Sequence, residues 1–189
     1  MTFDPPHFDV AVRGWVLVHQ SRPVVTFFSW ISALGSVTPV AGYAVLCGLA
    51  LWRRGRGRAA AAVLLAPTAA VVTYLAVKHA VDRVRPSVAG LLEGTSSFPS
   101  AHATTSAAVF LTLAFVLWKE AQMSGAAAGL VGLGVPLLIG ASRVYLDLHW
   151  ATDVIGGWCA GLAIALLSAS VYTQTARTPG PIAGRVTNA

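Results

Sequence analysis

Five long apolar stretches, residues 37–52, 59–77, 103–118, 126–141 and 154–172, each closed by charge, Gly or Pro, constrain this chain more than any other feature. A helix crossing the hydrocarbon core of a bilayer needs about twenty mostly apolar residues at roughly 1.5 Å of rise each. Five such segments in 189 residues leave little sequence for a soluble core. A chain 56% hydrophobic, 11% charged and of mean hydropathy +0.68 is consistent with a membrane as its solvent. Lipid offers no partner to backbone N–H and C=O groups, so spans satisfy them internally as helices. The expectation is an all-α fold, a polytopic membrane helix bundle.

The first forty residues read differently. Phe8 to His19 places apolar residues at helical spacing but carries Asp9 and Arg13, and Arg22-Pro23 breaks the pattern before Val24 to Leu34. We expect an interfacial helix followed by a short span, which makes about six spans, with five as the alternative. One domain, 1–189, is expected, with a motif-bearing core at about 37–173 and a flexible cytoplasmic tail at 174–189. The opening residues lack the basic region of a secretory signal, so no cleavable signal is expected. Cys47 and Cys159 sit within apolar stretches and read as two buried small hydrophobes rather than a disulfide or metal site.

Charge reports orientation. The net charge of +6 is clustered rather than laid out as a stripe interleaved with aromatics, which argues against nucleic acid as a partner. Arg53-Arg54-Gly55-Arg56-Gly57-Arg58 is the densest basic loop and belongs on the cytoplasmic side. Alternation puts Lys119, Arg177 and Arg185 on that side too. Residues 78–100 and 142–153 then face the extracytoplasmic side of the cell's inner or plasma membrane. Lys78, Arg83, Arg85 and Arg143 also lie there, against the trend, and need another explanation.

Ionisable residues beside spans are functional candidates because unpaired charge near a bilayer is expensive. Three clusters qualify. In Lys78-His79-Ala80-Val81-Asp82-Arg83-Val84-Arg85-Pro86, Lys78 and Arg85 stand seven apart, nearly two turns, on one helix face that Pro86 stops. Two cations aimed one way can hold an oxyanion, or anchor the helix at the interface with Asp82 neutralising one of them. In Ser96-Ser97-Phe98-Pro99-Ser100-Ala101-His102, Pro99 bends the chain and Ser100 opens an apolar helix whose free N–H groups and dipole suit an anion. Ser100 can equally be the N-cap of that helix. In the third cluster, His149 and Asp153 are spaced i, i+4 at a helix start, so the carboxylate can accept from one ring nitrogen and leave the other as a lone pair. A structural His–Asp pair has the same spacing. Arg143 adds a bidentate phosphate binder.

Lys78 to Arg85-Pro86, then Pro99-Ser100-Ala101-His102, then Ser142-Arg143, His149 and Asp153 together resemble the signature of the type 2 phosphatidic acid phosphatase (PAP2) superfamily. That pattern is Lys, six residues, Arg-Pro; Pro-Ser-Gly-His; and Ser-Arg, five residues, His, three residues, Asp. All spacings agree, and Ala101 replaces the usual Gly. The resemblance implies a small bacterial membrane phosphatase with a six-helix core, acting on a lipid phosphate within the membrane. It implies His149 as the nucleophile that becomes phosphohistidine, Asp153 as the residue fixing its tautomer, and His102 as the proton donor to the leaving group. Lys78, Arg85, Arg143, the Ser100 hydroxyl and the N–H groups of Ala101 and His102 would bind the phosphate, with no metal and no cofactor. Phosphotransfer to another acceptor, or a small noncatalytic membrane transporter, are the competing functions; neither lipid nor oligomeric state can be read from the chain. His7, His19 and His79 read as interfacial, with His79 at most behind the site residues, and Glu93 and Thr95 as solvated loop rather than headgroup contacts.

Overall fold

The computed structural model describes residues 4–87 and 96–177; Glu93, Thr95 and Arg185 lie outside the described residues, and of the tail expected at 174–189 only 174–177 is described, where it continues the last helix. The described chain is helical without strands: α1 (His7–His19), α2 (Arg22–Leu34), α3 (Val37–Arg53), α4 (Gly57–Ala80), α5 (Ala101–Lys119), α6 (Gly125–Tyr145) and α7 (Ala151–Arg177). Each of the expected segments is a helix. The protein is a multi-pass membrane helix bundle.

Helices α4, α5, α6 and α7 are each long and apolar enough to cross a membrane. The pair α2 and α3, bent by 51° at their junction, qualifies together. Thirteen residues of α2 rise about 20 Å, short of a hydrocarbon core of roughly 30 Å, so by length α2 reaches across only together with α3. Leu46, Leu65, Val72, Leu130, Leu137, Leu166 and Leu167 point outward as an apolar belt. Inside, α3, α4 and α5 meet through small residues: Val40, Ala44, Ala59, Ala60, Val63, Ala66 and Val109 are buried. Small side chains let backbones approach where lipid removes the hydrophobic drive between helices.

The most extensive packing is between α5 and α7, and it positions the site. A Cβ at Gly157 would lie 2.9 Å from the Ser100 carbonyl oxygen; one at Gly161 would lie 2.5 Å from Ala107 Cβ and 2.7 Å from the Thr104 carbonyl. Glycine at these two positions brings the start of α5 against the start of α7. Within α6, Leu130–Gly134 is π-helical just before Pro136, which has no N–H to offer the carbonyl of Gly132.

Two details differ from the expectation. Helix α4 ends at Ala80, with Val81 already extended, so Arg85 arrives on a loop and does not share a helix face with Lys78. The β-branched Val81 and Val84 and the approach to Pro86 favour that extended backbone. Second, Cys159 is exposed, and Cys47 packs against the α3–α4–α5 core but is only partly buried; both are free thiols.

Candidate active site

The turn between α6 and α7 carries the central histidine. Asp147 adopts a left-handed backbone (φ 56°), and the N–H groups of Leu148 and His149 both donate to the Arg143 carbonyl at 3.1 and 3.2 Å. Arg13 of α1 grips the Asp147 carboxylate with Nε and Nη2 at 2.7 and 2.9 Å, which fixes the turn. His149 therefore stands two residues ahead of α7 rather than on it, and is buried. Its Nε2 lies 3.1 Å from Arg85 Nη1. A guanidinium can only donate, so Nε2 is the acceptor and the ring proton sits on Nδ1. Nδ1 faces Asp153 Oδ2 at 3.5 Å, an electrostatic contact longer than a normal hydrogen bond. Burial, with Arg85 and Arg143 nearby, pushes His149 down to about 4 against the opposing pull of Asp153. At neutral pH the imidazole is uncharged, with its lone pair on Nε2.

Asp153 is fully buried and fully engaged. Oδ1 accepts from Arg83 Nη1 at 2.6 Å, Oδ2 from the Trp150 N–H at 2.9 Å, and its main-chain carbonyl from the Ser100 N–H at 3.0 Å. That last bond ties the second cluster to the third. The Trp150 indole donates to the Val84 carbonyl at 2.8 Å and the Ser97 N–H to the Arg83 carbonyl at 2.8 Å, so the loop carrying Arg83 and Arg85 is strapped to both.

Ser100 precedes the first residue of α5, yet its hydroxyl makes no capping bond; it is fully buried and has no partner among the described residues. The capping alternative is therefore not how this side chain is used. The Thr104 N–H is bonded back to the Ser100 carbonyl at 2.9 Å, and helix geometry leaves the N–H groups of Ala101, His102 and Ala103 without intrahelical acceptors. His102, in the first turn, lies by the Ser32 backbone with Arg143, Arg85 and His149 as its neighbours. Arg143 is buried and donates to Ser32 Oγ at 2.8 Å. Lys78 donates to the Ser96 carbonyl. All eight residues singled out by the sequence thus gather at one end of the bundle. Among the described residues, no group of three or more His, Cys, Asp or Glu side chains is placed to hold a metal ion.

Three residues of this network are not among the site residues expected from the sequence, although Arg83 stands out there as a cation against the charge trend. Asp9 of α1 is buried and accepts from Arg83 Nη2 at 2.7 Å, from the Thr152 N–H at 2.9 Å and from Thr152 Oγ1 at 2.5 Å. Arg83 and Thr152 complete the group, Arg83 Nη1 also reaching Thr152 Oγ1 at 2.7 Å. The available signals were an acidic residue in an apolar helix and a cation on the side opposite the basic loop.

Residues 58–177 match the model of the PAP2 superfamily, more than half of the chain. The chain belongs to the PAP2 superfamily. It is 37% identical over 94 residues, 48% of this chain and 46% of that protein, to phosphatidylglycerophosphatase B of Bacillus subtilis (strain 168). It is 34% identical over 88 residues, 46% of this chain and 36% of that protein, to an undecaprenyl-diphosphatase of Sulfolobus acidocaldarius. The aligned part is thus under half the length of these curated relatives. Among solved structures, a transmembrane PAP2 type phosphatidylglycerolphosphate phosphatase from Bacillus subtilis superposes with a TM-score of 0.80 at 26% identity, over 90% of this chain and 87% of that one. This PAP2 chain therefore shares both the family's sequence and a membrane member's fold.

Proposed function

We propose that the protein is a membrane phosphatase that hydrolyses a lipid phosphate monoester or diphosphate through a phosphohistidine on His149. The observation that carries this reading is the state of that ring: neutral, Nδ1–H turned to Asp153, Nε2 lone pair turned toward the guanidinium of Arg85. In the first step Nε2 attacks phosphorus, the N–P bond forms and the bond to the leaving oxygen breaks, while His102 gives that oxygen its proton. In the second, His102 takes a proton from water, the water oxygen bonds to phosphorus, and the N–P bond breaks to release phosphate. Asp153 stabilises the imidazolium present between the steps. Arg85, Arg143, Lys78, the Ser100 hydroxyl, which has no partner among the described residues, and the N–H groups at the start of α5 offset charge on the equatorial oxygens. Ala101 at the usual glycine position keeps its N–H, since a helix start accommodates alanine.

The substrate class is supported by the site's level at the span ends and by the names of the relatives, which point to phosphatidylglycerol phosphate and a polyprenyl diphosphate; phosphatidic acid, from the family resemblance, presents the same terminal phosphate. The basic loop at the opposite end supports a cytoplasmic placement for Arg53 to Arg58 and an extracytoplasmic site in the inner or plasma membrane. The test is phosphate release by detergent-purified protein from these three lipids, with EDTA present and a His149→Ala control. Release that survives EDTA and vanishes in the variant is expected; unchanged release from His149→Ala, or transfer of the phosphoryl group to an added alcohol in place of release, would overturn the reading.

A further inference from the structure

The N-terminal helix, which the spacing of motifs leaves outside the site, is joined to the nucleophile by an unbroken chain of buried charges. Asp9 Oδ2 accepts from Arg83 Nη2 at 2.7 Å, Arg83 Nη1 donates to Asp153 Oδ1 at 2.6 Å, and Asp153 Oδ2 faces His149 Nδ1 at 3.5 Å. Asp9, Arg83 and Asp153 are each less than a tenth exposed. We propose that Asp9 is a positioning residue for the phosphatase reaction: acting through Arg83, it fixes the Asp153 carboxylate and restores the negative charge that His149 needs when it carries a phosphoryl group. This inference rests on the proposed role of His149.

The charge count gives the reason. Arg83 bonded to Asp153 alone would be a neutral pair, and a neutral pair does little to stabilise an imidazolium beside it. A second carboxylate on the far side of Arg83 leaves the three-residue group with one net negative charge. In a buried site that charge is weakly screened. Geometry adds to this. Arg83 divides its two terminal nitrogens between the two carboxylates, so the guanidinium plane and with it Asp153 Oδ1 are held from both sides. Asp9 also accepts the N–H of Thr152, in the first turn of α7, and so secures the segment from which Asp153 projects.

Other groups act on His149 too. Arg85 comes from the loop after α4, Arg143 from α6 and His102 from α5, while Arg13 of α1 and Asp147 form an ion pair beside the same turn. Arg85 and Arg143 oppose protonation of the ring, and Asp153 is the carboxylate that favours it. Support for Asp153 is therefore what the site can least lose.

A structural brace would lower folded yield or melting temperature and leave the chemistry of the folded fraction alone. A positioning residue changes kcat with little change in KM and moves the pH profile. The experiment compares full-length Asp9→Asn, Asp9→Glu and wild type in detergent, measuring kcat, KM, melting temperature and the acidic limb of kcat against pH with the lipid phosphate that wild type hydrolyses. For Asp9→Asn we expect kcat to fall about tenfold or more, the scale on which partners behind a functional histidine act, with KM within about twofold. Its acidic limb should move to lower pH, because losing a negative charge makes the imidazole harder to protonate. Asp9→Glu should keep the limb of wild type. If Asp9→Asn does not fold, Arg83→Lys is decisive: one ammonium cannot span both carboxylates in the guanidinium's geometry, and the same fall in kcat is expected. Wild-type kcat and an unmoved limb in folded Asp9→Asn, or wild-type kcat in Arg83→Lys, would overturn the proposal. His149→Ala separates this failure from that of the underlying reading: activity lost there but intact in Asp9→Asn refutes only the role of Asp9.

Discussion

The two ends of the bundle carry charge in opposite ways. At one end Asp9, Arg83, Arg85, Arg143, His149 and Asp153 are all buried. At the other, Arg53 and Arg54 are exposed, and the Arg56–Glu120 pair, 2.5 Å apart, keeps about a third and a fifth of its side chains in solvent (32% and 20%). Removing charge from water is costly unless each ion is paired and hydrogen-bonded, and removing one partner then leaves the other uncompensated. The first end draws its charged and titratable groups together from three helices and two loops. The second lets water share the work, so its arginines can report membrane orientation without a specific geometry. Density of charge is similar to the eye along the sequence; burial is what separates a site from a topological signal.

The sharpest way to break this contrast is Asp153→Asn. An amide can present its NH2 toward His149 and favour the wrong tautomer, and it no longer balances Arg83. We expect kcat to fall by roughly 10³- to 10⁴-fold, as when the carboxylate behind a catalytic histidine is replaced by an amide in a serine protease. Steady-state phosphate release measures it. Ser100→Ala comes next. Its hydroxyl has no partner to lose among the described residues, so the melting temperature should hold while kcat falls by about 10²-fold, the scale of one lost donor to a developing oxyanion.

Acid sharpens the comparison further. Because burial holds His149 down to about 4, Nε2 keeps its lone pair through the mildly acidic range. The limb set by His149 should lie near 4, with activity falling about tenfold per unit below it as protonation removes the nucleophile. A histidine at its ordinary value would instead lose activity near 6.5. The smallest effect belongs to the other end. Glu120→Gln weakens a half-solvated pair and the Tyr172 contact at 2.6 Å, and should cost about 1 kcal/mol or less in thermal unfolding with phosphate release unchanged.

What could be read from the chain follows the same division. Apolar length alone locates the helices, and short motifs place His102, His149, Asp153 and their cations, because those contacts are reached from residues close to a helix end. The link from Asp9 to Arg83 spans 74 positions and has no local pattern. Only the packing of α1 against α6 and α7 creates it. Extrapolating α4 to Pro86 puts Arg85 on a helix face, whereas the non-helical loop from Val81 onward brings it to His149. Ser100 could not be assigned between cap and ligand from sequence, since both roles need a hydroxyl at the same position.

The central claim is that His149 Nε2 takes the phosphoryl group, and it is tested most directly by trapping. Purified protein is mixed with lipid phosphate labelled at phosphorus, quenched in alkali and digested for peptide mapping. We predict label on the peptide containing His149, stable to alkali and released by acid as an N–P bond requires, and absent from His149→Ala. Label that survives acid, maps elsewhere or persists in His149→Ala would contradict the account.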